Sequence, residues 1–226
     1  MKRIVYLVLF MFLGTSVMIA QERDRDRIQD QDRTKMVMVN GEMLELRDRA
    51  EMRLREKATL NDGTVIYPDG TYETREGTKF RLQDGECLDG DGIKYRNEYQ
   101  YRFKIQQENK GLAEGLIKER NQNRVHYMLV DGEAYLIRSQ SQRRLNEKIE
   151  LAEGMSVNPD GSYQTRDRKQ LQLQDGECIN MDGQVFRNTY QHRKMMVQKN
   201  KMPQKKMIKK GIKKPVVPKK KKKPTS

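Results

Sequence analysis

The sequence predicts a mainly β protein: two tandem, small antiparallel β-meander modules, a short helical connector, and a disordered basic C-terminal tail. Three observations carry this. Residues 36–102 and 127–193 align without a gap at an offset of 91, with 29 of 67 positions identical, and an internal repeat sets the architecture. Within each copy apolar and polar residues alternate, the period of a half-buried strand. Asn-Gly and Asp-Gly dipeptides punctuate the copies, as tight hairpins require, because both turn residues need positive φ.

The elements follow in order. Residues 1–20 read as a signal peptide: Lys2 and Arg3 precede an apolar core over 4–13, and the expected cut follows Ala20. A core of about ten residues is too short to span a bilayer but suits a cleaved export signal. Residues 21–34 form a charged leader of Arg, Asp and Gln. The first module occupies 35–102, the connector 103–123, the second module 124–193 and the Lys-rich tail 194–226. Each module opens with a hairpin, 36–39 and 42–46 around Asn40-Gly41, repeated as 127–130 and 133–137 around Asp131-Gly132. Residues 49–57 and 140–148 lack clean alternation and fit either a strand or a short helical turn. Strict alternation over 79–83 and 170–174 predicts half-buried strands. Each module then amounts to seven or eight short strands that can curl into a small open barrel. The connector, broken by Gly111 and Gly115, reads as an interrupted helix.

Charge is placed unevenly. Residues 194–226 contain 14 Lys and no acid, whereas 21–193 carry 30 basic and 32 acidic residues. The net charge of +14 therefore belongs to the tail, and the modules themselves are not basic nucleic-acid binders. Within the tail, the run Lys219, Lys220, Lys221, Lys222 and Lys223 is the candidate for adhesion to anionic envelope polymers or lipids. Such adhesion is sequence-indifferent and salt-sensitive. Leu, Ile, Val and Phe make up 37 of the 206 residues after Ala20, so each module can build only a small core.

Few residues suggest chemistry. Asp84, Glu86, Asp89 and Asp91, matched by Asp175, Glu177 and Asp182, are weak Ca²⁺ candidates. Their spacing fits no established loop, and Asp-Gly is what consecutive turns need on steric grounds. Cys87 and Cys178 are the only cysteines and are repeat-equivalent. An exported protein favours a disulfide, but equivalence favours two buried thiols with the same part in each module. His126 and His192 align with Lys35 and Tyr101, fall outside the repeated pattern, and are expected at the surface. With no repeated His, nucleophile elbow, phosphate loop or paired-Cys motif, the sequence assigns no catalytic residue and no cofactor. The block RN-x-YQ-x-R, at 96–102 and 187–193, reads as the closing strand or helix cap of a module, or as a polar binding ridge.

An Asn-Gly hairpin, a Pro-Asp-Gly turn and the closing DGEC-x3-DG block resemble a domain-of-unknown-function family of exported bacterial proteins. The resemblance covers most of 36–95 and 127–186, and DGEC-x3-DG is its most specific part. It implies no established activity. It does imply methionine-rich strands, here at Met36, Met38, Met43 and Met181, and thioethers are soft Cu(I) ligands. In the second module only Met128, Met155 and Met181 remain. The sequence thus reads as an exported, non-enzymatic binding or structural protein of the bacterial envelope. The alternative is a copper- or silver-handling protein using Met and Cys.

Overall fold

The computed structural model describes residues 34–122 and 124–201. The expected signal peptide, the leader up to residue 33 and the lysine run 219–223 lie outside them. The molecule is mainly β, its largest sheet curled into a half-barrel, and its two modules are tandem copies of one design. The first hairpin is β1 (Thr34–Val39) and β2 (Glu42–Arg53); its twin is β9 (Val125–Val130) and β10 (Glu133–Arg144). Asn40 and Asp131, with φ of 51° and 56°, and Gly41 and Gly132, at 73° and 77°, make the expected turns. Strands β2 and β10 absorb the ambiguous segments as far as Arg53 and Arg144.

After each hairpin a small sheet follows. In the first repeat it comprises β3 (Ala58–Thr59), β4 (Val65–Ile66), β5 (Thr71–Glu73) and β6 (Lys79–Arg81). In the second it comprises β11 (Ile149–Glu150), β12 (Ser156–Val157), β13 (Ser162–Gln164) and β14 (Gln170–Gln172). The edge strands β6 and β14 are not half-buried as their alternation predicts. Phe80 and Leu171 stand exposed, with Phe80 stacked only on Tyr72. Burial begins one residue beyond β14 and β6, at Leu173 and Leu82. The repeats close with β7 (Cys87–Asp89) and β8 (Lys94–Tyr95), and with β15 (Cys178–Asn180) and β16 (Val185–Phe186).

The connectivity between repeats is what the sequence does not reveal. The main sheet runs β16-β15-β1-β2-β10-β9-β7-β8. Each hairpin has left its own repeat: β1 pairs with β15, and β9 pairs with β7. A local two-fold axis passes between β2 and β10, where Asp48 lies opposite Ser139 next to a bulge. Backbone bonds lock the exchange symmetrically, Met38 N–H to Glu177 C=O at 3.0 Å and Leu129 N–H to Glu86 C=O at 3.1 Å. The cores are shared in the same way. Met36, Met38 and Met43 pack with Leu151, Val157, Leu173 and Ile179, while Tyr127, Leu129 and Ala134 pack with Leu60, Ile66, Leu82 and Leu88.

The opposite face of the sheet is covered by helices α1 (Glu98–Asn109) and α3 (Thr189–Lys201), which are repeat-equivalent. Helix α1 starts inside the expected first module, and α3 carries the chain eight residues past Arg193 into the expected tail. The RN-x-YQ block is their cap. Asn97 Oδ1 accepts from Gln100 N–H at 3.0 Å, and Gln100 Oε1 accepts from Arg96 N–H at 3.0 Å. Asn188 and Gln191 repeat both bonds. These satisfy N–H groups that a helix start otherwise leaves open. Helix α2 (Glu114–Asn121) completes the interrupted connector, separated from α1 by Gly111 at φ +79°.

Candidate binding pocket on the local two-fold axis

Beneath α1 and α3 lies a buried ionic network centred on the axis. It contains Lys35, Asp48, Glu51, Glu98, Arg102 and Arg193, none more than 2 % exposed. Each arginine reaches across to the other repeat's central strand. Arg193 bonds Asp48 Oδ2 at 3.0 Å and also pairs with Glu51, both on β2. Arg102 bonds Ser139 Oγ at 3.0 Å and Gln142 Oε1 at 3.5 Å, both on β10. Glu98 joins the two, accepting from Arg102 at 2.8 Å and Arg193 at 2.7 Å. Lys35 completes the set at 3.0 Å from Asp48.

Burial alone would raise both carboxylates. Lys35, Arg193 and Arg102 instead hold Asp48 well below the usual range, and Arg102 brings Glu98 down to about 2. Two further groups adjoin the network. His126 and His192 are fully buried, not at the surface as expected from their lack of repetition. Their ring nitrogens have no hydrogen-bond partner, and His126 Nε2 sits 3.5 Å from Glu98. Burial lowers both, His192 to about 3, so the His192 ring is neutral near pH 7. They occupy the buried places of Lys35 and Tyr101, because an equivalent backbone position inherits equivalent burial.

Above the network a pocket of about 520 Å³ opens on the same axis. Its lining comes largely in repeat-equivalent pairs: Asp84 and Asp175, Arg96 and Arg187, Tyr99 and Tyr190. Thus the DGEC turns and the RN-x-Y caps, far apart in sequence, meet around one cavity, with Glu98 and Arg102 also lining it. Its acids are committed. Asp84 Oδ1 accepts from Gly132 N–H at 3.1 Å and Asp175 Oδ1 from Gly41 N–H at 3.0 Å. Arg96 and Arg187 are exposed, and their guanidiniums have no hydrogen-bond or ion-pair partner among the described residues. The N-termini of α1 and α3 also border the pocket, and their partial positive charge adds to that of the guanidiniums.

The other sequence candidates do not converge. Glu86 accepts from Gln83 N–H and pairs with Lys94, while Glu177 accepts from Gln174 N–H. Asp89 is buried and bonds Tyr95 at 2.8 Å and Lys104 at 3.2 Å; Asp91 accepts from Asn61, and Asp182 is exposed. Among the described residues no three His, Cys, Asp or Glu side chains group as a metal site. Cys87 and Cys178 are buried, unpaired thiols on β7 and β15. Five strand spacings, each about 4.8 Å, separate these strands across the sheet, well beyond disulfide reach. Burial pushes the Cys178 thiol up to about 12 and that of Cys87 well above its ordinary value. No helix among the described residues is long and apolar enough to cross a membrane.

A tandem β-repeat with a pocket shared between its repeats is the class that these features define. The chain belongs to a family described as a domain of unknown function, DUF6799, which matches residues 33–93 and 124–185. Both matches end before the helices, so the arginines and caps of RN-x-YQ-x-R lie outside the matched segments. No curated protein and no solved structure matches the chain.

Proposed function

We propose that this is an exported, non-enzymatic binding protein of the bacterial envelope whose pocket on the two-fold axis takes a small anionic ligand. One observation carries the reading: five positions identical in both repeats, Asp84, Gly85, Arg96, Asn97 and Tyr99 with their equivalents, line that pocket, with two uncommitted guanidiniums and two helix N-termini beside it. Its test is a thermal titration of the mature protein with inorganic phosphate, pyrophosphate, citrate and galacturonate. At least one should raise the midpoint saturably in the wild type and not in Arg96→Ala/Arg187→Ala. If none does, or the double variant responds equally, the pocket is not an anion site. The lysine tail would hold the protein at anionic surfaces. Truncation after Lys201 leaves α3 whole, and it should abolish low-salt binding to anionic vesicles and to DNA.

A second reading has its own support. Hairpin exchange gathers Met36, Met38 and Met43 of one repeat with Met155 and Met181 of the other around one core. Such a cluster of thioethers suits Cu(I) or Ag(I). Saturable Ag(I) binding that disappears in Met36→Leu/Met38→Leu would support it, and equal binding by both proteins would refute it.

A further inference from the structure

The buried network is neutral only when unlike repeats pair. Three carboxylates, Asp48, Glu51 and Glu98, face three cations, Lys35, Arg102 and Arg193. All three acids come from the first repeat. Their equivalents in the second are Ser139, Gln142 and Thr189, and the equivalent of Lys35 is His126, whose protonated form burial disfavours. Only the arginine is common to both. Two repeats of the first kind, joined by the same hairpin exchange, would bury six carboxylates against four cations. Two of the second kind would bury two arginines with no acid at all. An uncompensated charge at full burial is among the most destabilising changes a fold can carry.

From this asymmetry we infer that the exchange interface is a recognition surface with a charge code: a first-type repeat accepts only a second-type repeat as its partner. The geometry shows how the code is read. Each arginine inspects the central strand of the opposite repeat, Arg193 at Asp48 and Glu51, Arg102 at Ser139 and Gln142. The backbone cannot discriminate, since β1 meets β15 in the same register as β9 meets β7. Val39, Gly41, Glu42 and Arg47 also have identical counterparts in the other hairpin. Side-chain charge on the axis is therefore what separates correct from incorrect pairing. If hairpins are traded between two copies of this chain, a first hairpin can settle only on another copy's second repeat.

Charge exchange in the full-length protein tests this. The substitutions Ser139→Asp, Gln142→Glu and Thr189→Glu make both repeats acidic and set six carboxylates against three cations. The converse set, Asp48→Ser, Glu51→Gln and Glu98→Thr, leaves three cations without an acid. Each half-exchange should lower the thermal midpoint by at least about 10 °C or prevent folding. Combining both sets with Lys35→His and His126→Lys moves the whole charge set to the other repeat and restores neutrality. The combined chain should fold, with a midpoint within a few degrees of wild type and the same circular dichroism. A half-exchanged chain as stable as wild type would overturn the code. So would a combined chain no more stable than the half-exchanges, since local packing and not balance would then govern the site.

Discussion

At the scale of single residues the two repeats act as internal controls for each other. Gly70 and Gly77 both have positive φ, 81° and 83°, yet they carry different constraints. A Cβ on Gly70 would lie 2.3 Å from Leu129 of the exchanged hairpin, whereas nothing lies within 4 Å of one on Gly77. The second repeat agrees, keeping Gly161 but placing Arg168, at φ 59°, where the first has Gly77. Gly70→Ala should therefore cost roughly 2 kcal/mol or more, through strain and the clash. Gly77→Ala should cost about 1 kcal/mol, from backbone conformation alone; urea unfolding of the two variants measures the gap. A second residue-scale prediction concerns acid. His192 falls from an ordinary 6.5 to about 3, so the folded state binds its proton less readily than the unfolded chain. That stability is complete above pH 6.5 and is lost as pH falls toward 3. Glu98, lowered from 4.5 to about 2, adds a loss that begins near pH 4.5. Unfolding free energy should decline from pH 6.5 downward in the wild type. In His192→Tyr, the residue of the first repeat, the decline between pH 6.5 and 4.5 should be shallower, because only the lowered His126 remains to contribute there.

At the scale of elements, what was legible in the sequence was what is local. Asn40-Gly41 and Asp131-Gly132 name their turns because positive φ is a property of two residues. The partner of each hairpin was not legible. Alternation at Met36 and Met38 says that one face is buried but not by which repeat, and Leu88 and Ile179 offer equivalent surfaces. Helix α1 did leave a signal, Asn97 followed three residues later by Gln100, which is a helix start. Its buried face includes Arg102, so no simple apolar stripe marks it. The ionic network left a fainter one: Asp48 continues the inward phase of Leu44 and Leu46 on β2, where an apolar residue would be expected. The caps give the element-scale prediction. Asn97→Ala and Asn188→Ala should each cost about 1 kcal/mol, read by urea unfolding, because each removes one bond to an N–H of the first turn.

At the scale of the whole molecule, exchange turns two small modules into one folding unit. A module of this size has too little apolar surface to be robust alone, and here neither main core belongs to one repeat. Unfolding the second repeat would strip Tyr127, Leu129 and Ala134 from Ile66 and Leu82, and would expose Met36, Met38 and Met43 on the first hairpin. It would also leave Asp48, Glu51 and Glu98 without Arg193. A state with one repeat folded therefore loses the pairing of β1 and β9, a shared core and charge neutrality together. Calorimetry should show a single transition whose van't Hoff and calorimetric enthalpies agree. Ile66→Ala, at a fully buried site in the core shared by the first repeat's small sheet and the second repeat's hairpin, should cost about 2–5 kcal/mol and lower that one midpoint without splitting it. Two resolved transitions, in either protein, would mean that the repeats stand independently and that their exchange is not what stabilises them.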